Sequence, residues 1–547
     1  LHAAAACLLF GVLRRTLQAP RLRERFGNDA TWLALVIAGL WAVHPLQTAA
    51  VDWISERAEV LMGGFYLLTL YGFIRGTRGW LMASVAGCWL GALTKETIVT
   101  APLLVLLYDR TFIAGAFREC FRRRWGYYLA LGGAWVIVAL LLPRSGSVQV
   151  SAGFGHGISA GTYILTSCRS ILLYLKLAFW PAPLVFYYGM AQVGSFKAGL
   201  PFLLGLGLLV AGMAWAWIRR PAIGFAAAWV LIILAPTTSF VPLAQPTAEY
   251  RFYLSLAGVI ALVVLGAYSW LGRRGLLLAL AVLPLGAMTL ARNPAYASAV
   301  EIWRDTAQKV PSDAEVRREY GLALLETPGR LDEAIAELRA SARLRPGAQG
   351  FRELGWALAH KPDGQVEALR YLDRALRCDP DDPLTRNALG AVLMQGGRLR
   401  EAEAQFERAL ALRPGMPTAM AYLAQAHRAL GSELLREPGR IDEAIAELRA
   451  AVRLQPGFTA AHTDLGWALA HTPGGLEDGI AEVRAGLHSH PDDPYAHNTL
   501  GMLLMRSGEL TAAAGEFRAA LRLKPDLAAA RSYLTAIEAQ SGEGAAR

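Results

Sequence analysis

The stretch PGRLDEAIAELRASARLRPG at residues 328–347 recurs almost unchanged as PGRIDEAIAELRAAVRLQPG at residues 438–457. GWALAH at 355–360 likewise recurs at 466–471, so a long block of the second half is duplicated. Within each copy, Ala, Leu and Ile recur at helical spacing, and a proline follows the second helix, which it ends. The sequence therefore predicts pairs of helices that stack into an α-helical solenoid.

The repeating unit combines a Gly-x-x-Leu element, a Glu-Ala pair and a closing proline. A period of about 34 residues with these features is typical of tetratricopeptide repeats (TPRs). We expect about six TPRs at residues 313–540, including a closing helix from about residue 527, and a disordered tail at 541–547. Stacked TPRs form a concave groove that suits a peptide or protein ligand, which the sequence does not identify.

Residues 1–292 differ from the repeats because they are almost continuously apolar. Their runs, such as Leu200–Trp217 and Val259–Leu271, are separated by short basic clusters. A bilayer core of about 30 Å is crossed by roughly 20 apolar residues in a helix. The fold is therefore predicted to be all-α, with a polytopic membrane domain at 1–292, a linker helix at 293–312 and the TPR array after it.

Arginines mark alternate loops between the apolar runs. They occur at 14–25, 75–78, 110–124, 219–220 and 273–274. By the positive-inside rule these loops face the cytoplasm, which gives about nine complete spans after an incomplete first one. The stretch 163–180 is interpreted as an interfacial or re-entrant helix, because both of its flanks are assigned to the outside. We thus expect a multi-pass inner-membrane protein whose TPR array lies on the periplasmic side.

Composition excludes several classes of protein. The net charge of +10 does not indicate nucleic-acid binding, because much of the excess lies in short loops beside the membrane. The five cysteines are scattered without a C-x-x-C pair, which argues against a structural zinc site and a disulfide scaffold. No metal-ligand cluster is evident from residue spacing. The chain begins at Leu1 within an apolar run, so we expect a fragment that lacks its native N-terminus.

Four polar clusters fall on the predicted outer face. They lie within 44–59, 94–97, 167–176 and 249–253. Charged residues at membrane depth cost a few kcal/mol each, so their presence requires an explanation. Arg, Lys and His suit a phosphate or pyrophosphate group, and the neighbouring aromatic residues suit a sugar face or an isoprenoid tail. The alternative is that these residues snorkel to lipid head groups or pair with one another structurally.

Four motifs in these regions carry a family resemblance. They are HPLQTAAVDWISERAEVLMGGFYLLTLYGF (44–73), LTKETIVTAPLLVLLYDRTF (93–112), ILLYLKLAFWPAPLVFYYG (171–189) and PTAEYRFYLSLAG (246–258). With the TPRs that follow, the chain resembles the TPR-bearing membrane glycosyltransferases of the GT-C superfold, in particular bacterial members related to the animal transmembrane-and-TPR protein O-mannosyltransferases. It departs from the family pattern at Ala49 and Tyr187, where members commonly have Glu or Gln and an acidic residue, respectively.

The resemblance implies a polyprenyl-phosphate sugar donor at the outer leaflet and transfer to an acceptor there, most simply a protein Ser or Thr. It places the donor beside His44, Gln47, Arg57, Lys95, Glu96, Glu249 and Arg251, and the polar clusters add Arg169 and Tyr253. We expect Glu96 to orient Lys95, and Glu249 to orient Arg251. The catalytic acid of such enzymes lies in a loop expected upstream of Leu1, so the catalytic residue stays unnamed. Dependence on a divalent metal is left open, and no other cofactor is implied.

Two other functions remain open. One is a non-enzymatic membrane-anchored scaffold whose TPRs assemble envelope proteins, and Ala49 and Tyr187 favour it. The other is a transporter of a lipid or sugar carrier, which predicts polar residues along a path to the inner face. Few such residues are present there beyond the loop arginines. The retained Lys95-Glu96 pair favours the enzyme.

The alternation of arginine loops predicts the topology testably. Alkaline phosphatase fused after Arg292 should be active, because that residue is predicted to lie outside the cytoplasm, whereas a fusion after Arg274 should be inactive. Phosphatase activity of cells that express each fusion is the measurement. The reverse pattern would contradict this topology and would place the four polar clusters on the cytoplasmic face.

Overall fold

The computed structural model of the protein describes residues 1–53, 56–141, 159–189, 193–238, 243 and 245–545. Residues 144–158 of the predicted outer loop and the last two residues of the predicted tail lie outside this description. The chain consists of two compact units, Leu1–Ala323 and Leu324–Arg547, and helices dominate both. The predicted all-α fold is confirmed.

The helices of the first unit are numbered in chain order. They are α1 His2–Leu17, α2 Pro20–Phe26, α3 Ala30–Val43, α4 Thr48–Val51, α5 Arg57–Arg75, α6 Arg78–Ala92, α7 Ala101–Tyr108, α8 Phe117–Leu141, α9 Ala160–Phe179, α10 Phe196–Arg219, α11 Pro221–Thr238, α12 Ser255–Leu271, α13 Val282–Arg292, α14 Ala299–Lys309 and α15 Ala314–Leu325, which ends just inside the second unit. Short 3-10 helices cover Gly27–Asp29, Pro45–Gln47, Glu96–Thr100, Glu249–Phe252, Gly272–Ala281 and Asn293–Tyr296, and Asp109–Ala114 is π-helical.

Six helical segments among the described residues are long and apolar enough to cross a membrane. They are Pro20–Val43, Glu96–Ala114, Phe117–Leu141, Phe196–Arg219, Pro221–Thr238 and Ser255–Tyr296. Nine complete spans are predicted from the sequence, so the structure supports fewer. The difference arises partly because α6 has only 15 residues, fewer than a bilayer requires. In addition, the 42 residues of Ser255–Tyr296 count as one segment although they contain α12, a 3-10 helix and α13.

The surface of these segments is apolar, as contact with lipid requires. In α10 the buried residues are Gly199 and Ala216, whereas Leu208 and Ile218 are 75% and 79% exposed. An apolar surface of this extent would cause aggregation in water. The same surface matches the hydrocarbon chains of a bilayer. The first unit is therefore a membrane domain.

Arginines of the predicted inner loops contact residues in other inner loops or at the helix ends beside them. The pairs are Arg15 with Tyr71, Arg21 with the Thr111 carbonyl, Arg25 with the Ser269 carbonyl, Arg110 with Trp217 and Arg273 with Asp29. Residues of the predicted outer face contact one another in the same way, as shown below. Residues near the predicted inner loops and residues of the predicted outer face thus form separate groups of contacts, as alternating loops require. Which set faces the cytoplasm stays a prediction.

The second unit consists of paired helices with short connections. Its helices are α16 Leu331–Leu344, α17 Ala348–Ala359, α18 Gln365–Cys378, α19 Pro383–Gln395, α20 Leu399–Leu412, α21 Pro417–Leu434, α22 Ile441–Leu454, α23 Thr459–Ala470, α24 Leu476–Ser489, α25 Pro494–Ser507, α26 Leu510–Leu523 and α27 Ala528–Ala545. Within a pair the two helices approach closely at a glycine. A Cβ added at Gly390 or Gly501 would lie 2.6 or 2.7 Å from the ring of Phe406 or Phe517, respectively. This contact explains why glycine recurs in the first helix of the repeat.

Two boundaries differ from the predicted ones. The first unit extends to Ala323 and includes α14, so the predicted linker 293–312 packs within it, with Ile302 fully buried. At the other end, α27 continues to Ala545, into the segment predicted to be a disordered tail.

The packing of the last pair yields a stability prediction. Phe517 is fully buried and stacks on Tyr533 of α27, so Phe517→Ala should destabilise this end of the array by about 3–5 kcal/mol. Because each repeat contacts only its neighbours, amide hydrogen exchange should accelerate in α25–α27 and little elsewhere. Leu523→Ala, at a residue 41% exposed, is the control and should change little. Uniform acceleration along the array would contradict local packing.

Candidate functional site

Glu249 is a buried carboxylate that joins three segments of the membrane domain. It lies in the 3-10 helix Glu249–Phe252, just before α12. Its Oε1 accepts hydrogen bonds of 2.7 Å from the Val185 amide and from the Tyr188 hydroxyl, and its Oε2 lies 2.8 Å from Nη2 of Arg292. Burial raises the pKa of the Glu249 carboxyl, while Arg292 and the Tyr188 hydroxyl act in the opposite direction.

Arg292 completes this network from the end of α13. It is 9% exposed, and its Nε donates to Thr48 Oγ1 at 3.0 Å. Its Nη2 also donates to the Tyr296 hydroxyl at 3.1 Å. Glu249 therefore pairs with Arg292 and not with Arg251, so the expected Glu249–Arg251 pair is wrong. Glu249 and Arg251 are two residues apart in this 3-10 helix, a rotation of about 240°, so their side chains point in different directions.

Lys95 also has a different partner from the expected one. Its Nζ lies 2.6 Å from Glu59 Oε2 and 3.5 Å from Glu56 Oε2, whereas Glu96 is exposed and forms no ion pair among the described residues. Burial alone lowers the pKa of Lys95, but the carboxylates of Glu59 and Glu56 raise it above its ordinary value. Lys95 is therefore a cation, and Nζ lies 4.7 Å from the centre of the Tyr250 ring.

Arg251 is a buried cation without a carboxylate partner. It is 7% exposed, its Nη1 donates to the Pro246 carbonyl at 3.1 Å, and its guanidinium lies 5.8 Å from the centre of the Tyr250 ring. No Asp or Glu lies within ion-pair distance among the described residues, and the undescribed stretches of the first unit contain neither residue type. The hydroxyls of Tyr163, Tyr174 and Tyr250, which are neutral, lie near its guanidinium. We call Lys95, Glu249, Tyr250, Arg251 and Arg292 the Tyr250 cluster.

His44 and Gln47 are engaged in structural hydrogen bonds. Nδ1 of His44 accepts from the Leu46 amide and its Nε2 donates to the Ala178 carbonyl, both at 3.2 Å. Burial lowers the pKa of His44 to about 4, so the imidazole is neutral at pH 7. Nε2 of Gln47 donates to the Trp41 carbonyl at 3.2 Å, while its buried Oε1 has no partner in the part of the chain that the structure describes.

Tyr253, Arg57 and Arg169 complete the predicted set. The Tyr253 hydroxyl is hydrogen-bonded to His2 Nδ1 at 2.8 Å, and its carbonyl accepts from the Trp41 indole, so Tyr253 ties the cluster to α1 and α3. Arg57 is exposed at the first residue of α5. Arg169 is half-buried in the middle of α9. The structure therefore brings Lys95, Glu249 and Arg251 together around Tyr250 and leaves Arg57 at the surface.

Sequence reasoning misses Arg292 as a member of the site. Arg292 ends an apolar run and is nevertheless assigned to the outside, against the positive-inside rule. That exception is a usable signal, because an arginine on the wrong side of the pattern needs a local reason. Glu59, which holds Lys95, belongs to a predicted polar cluster but is not assigned to the donor site.

An apolar cavity of about 380 Å³ opens beside His44. It is lined by α3, α12, α13 and the segment 178–182, and His44 is the one titratable side chain among the described residues of its wall. Phe179 and Trp180 at its edge are 65% and 69% exposed. A cavity of this composition suits a hydrocarbon chain whose polar end lies elsewhere.

Comparison with known proteins identifies the repeats. The tetratricopeptide repeat family model matches residues 286–349, 328–383, 387–434, 432–473 and 474–528. The chain is 28% identical over 207 residues to protein O-mannosyl-transferase Tmtc2 of Drosophila melanogaster, a match that covers 35% of this chain and 21% of the relative. It therefore spans about a fifth of that relative's length. The chain is a TPR-containing protein similar to Tmtc2, and TPR arrays bind peptides or proteins.

Solved structures resemble the chain over part of its length. MamA of Desulfovibrio magneticus RS-1 is 24% identical, with 33% of this chain and 97% of that chain covered and a TM-score of 0.28. A TPR protein of Thermus thermophilus is 23% identical, with 35% and 98% covered and a TM-score of 0.25.

The Glu249–Arg292 pair predicts a pattern of stability changes. Arg292→Ala should destabilise the membrane domain by about 3–5 kcal/mol, because it leaves the Glu249 carboxylate buried without a counter-charge. Adding Glu249→Gln to this variant should recover much of the loss, since the unpaired charge is then gone. Melting of the detergent-solubilised protein is the measurement.

Arg273→Ala is the matched control for this prediction. The Arg273 side chain is 76% exposed in its ion pair with Asp29, so its loss should cost less than about 1 kcal/mol. If Arg292→Ala and Arg273→Ala melt at the same temperature, the buried pair does not stabilise the domain.

Proposed function

We propose that the membrane domain is a glycosyltransferase that binds the phosphate of a polyprenyl-phosphate sugar beside Arg251. The observation that carries this proposal is that Arg251 is buried without a carboxylate partner. A buried cation costs several kcal/mol unless an anion compensates it. A guanidinium also forms two parallel hydrogen bonds to a phosphate, which makes Arg suited to this anion.

The apolar cavity beside His44 supports a lipid-linked donor. The polyprenyl chain would lie in this cavity, along α12 and α13, with its phosphate toward the 3-10 helix Glu249–Phe252. The two regions adjoin, because Leu40 and His44 of the cavity wall are close in sequence to Trp41 and Gln47, which both hydrogen-bond to the Tyr253 carbonyl. A neutral His44 at the cavity wall is compatible with a hydrocarbon neighbour.

The reaction fits the charges of the Tyr250 cluster. An acceptor hydroxyl oxygen forms a bond to the anomeric carbon of the sugar while the bond from that carbon to the phosphate oxygen breaks. The proton that the hydroxyl releases balances the negative charge that the polyprenyl phosphate gains. The leaving polyprenyl phosphate gains negative charge in the transition state. Arg251 and Lys95, held in place by their neighbours, would stabilise that charge without reorganisation.

The TPR array supplies the second part of the proposal. TPR arrays bind peptides or proteins, so the array would bring a protein acceptor to the membrane domain. We place the TPR array and the acceptor on the periplasmic side of an inner membrane, in accord with the arginine pattern. Similarity to a protein O-mannosyl-transferase makes mannose the first sugar to test and protein Ser or Thr the first acceptor.

The decisive variants are at Arg251 and Lys95. In membranes that contain the whole native protein, Arg251→Ala and Lys95→Ala should each reduce sugar transfer from radiolabelled polyprenyl-phosphate mannose by about a hundredfold. Arg251→Lys should restore only part of the activity, because Lys lacks the bidentate geometry. Arg251→Ala should also weaken binding of a fluorescent polyprenyl phosphate to the purified protein.

Arg75→Ala is the control, because Arg75 stacks on Trp80 among the residues of the predicted inner loops. It should leave binding and transfer unchanged. If Arg251→Ala folds with a normal melting temperature and keeps full binding and transfer, Arg251 has a structural role only. Absence of transfer from any polyprenyl-phosphate sugar by the native protein would favour the non-enzymatic scaffold.

A further inference from the structure

Three helices of the TPR array bring a histidine and two glutamates together. Glu403 lies on α20, His427 on α21 and Glu447 on α22, and one ligand atom from each lies within 4.8 Å of the other two. Nδ1 of His427 lies 2.7 Å from Glu447 Oε2 and 3.6 Å from Glu403 Oε1. We call these residues the Glu403 triad.

Two other repeats contain the same His–Glu pair, and no third ligand adjoins it among the residues that the structure describes. Nδ1 of His462 lies 2.7 Å from Glu482, and Nδ1 of His497 lies 2.6 Å from Glu516. In both, the opposite ring nitrogen is hydrogen-bonded to a loop carbonyl, that of Pro456 at 2.9 Å or that of Pro491 at 2.8 Å. Both ring nitrogens of these two histidines therefore have hydrogen-bond partners within the protein. The two pairs serve as controls for the triad.

The length of α21 explains why His427 has different neighbours. The three histidines occupy the same position relative to the glycine that packs on the second helix of the pair. His427, His462 and His497 precede Gly431, Gly466 and Gly501, respectively, by four residues. However, α21 has 18 residues, whereas α23 has 12 and α25 has 14. The longer helix places His427 away from the loop and opposite α20, where Glu403 is available.

Arg400 holds both carboxylates in a suitable orientation. Its Nη1 lies 2.6 Å from Glu447 Oε1 and 3.2 Å from Glu403 Oε2. Each glutamate therefore gives one oxygen to Arg400 and turns the other toward His427. Outer hydrogen bonds of this kind orient ligands around metal ions in proteins, and they also limit the negative charge that the two carboxylates concentrate.

We propose that the Glu403 triad binds a Zn²⁺ ion. Imidazole nitrogen and carboxylate oxygen are both ligands of zinc, at about 2.0–2.2 Å, and water would complete a tetrahedral shell. Binding requires a neutral imidazole with a lone pair on Nδ1, so its proton moves to Nε2, which no loop carbonyl occupies among the described contacts. The ion would tie α20 to both helices of the next repeat. The proposal is independent of the glycosyltransferase activity.

Zinc titration of the purified full chain, without a histidine tag, tests the proposal. Isothermal calorimetry with ZnCl₂ should show one site per chain, and Zn²⁺ should raise the melting temperature. Glu403→Gln and His427→Asn should each lower the affinity at least tenfold and abolish the thermal shift. Co²⁺ in place of Zn²⁺ should give a visible absorption band that is lost in both variants.

His462→Asn is the matched control, because it removes an equivalent histidine from a pair that lacks the third ligand. It should bind Zn²⁺ like the parent protein. The proposal fails if the parent chain binds no Zn²⁺, if Glu403→Gln and His427→Asn bind it as tightly as the parent, or if His462→Asn loses the site instead. Far-ultraviolet circular dichroism of each variant confirms that the array is still folded.

Discussion

The buried ion pair between Glu249 and Arg292 is the interaction on which the candidate site depends. It joins α4 through Thr48, the segment of Val185 and Tyr188, and the end of α13, all around one carboxylate. Taking two charges out of water is costly, and the cost is offset only when every lone pair and N–H finds a partner. Because both oxygens of Glu249 are occupied, the adjacent residues Tyr250 and Arg251 are held in a defined position.

Charge balance separates the structural cations of this site from the candidate binding cation. Arg292 is compensated by Glu249, and Lys95 by Glu59, so neither requires a ligand to be stable. Arg251 has a backbone carbonyl and tyrosine hydroxyls around it, which accept hydrogen bonds but do not neutralise its charge. A bound phosphate would therefore be stabilised electrostatically most by Arg251. Lys95 would add a longer-range attraction across the Tyr250 ring.

The sequence predicts the helices of this protein well and the pairing of its charges poorly. Apolar run length identifies the membrane helices, and the period of glycine, alanine and proline identifies the repeats, because both are local properties. Lys95 is expected to pair with its neighbour Glu96, yet its partner is Glu59 on α5. Such a pair is set by the packing of α5 against the turn after α6, which no local pattern encodes.

The TPR array shows how a small change in helix length changes chemistry within a duplicated scaffold. His427, His462 and His497 occupy one position relative to the second helix of their repeats, and each faces a glutamate there. Lengthening α21 preserves this contact but shifts the histidine along the preceding helix, toward Glu403. The different surroundings of His427 thus arise from register, which is why residue spacing in the sequence gives no sign of the triad.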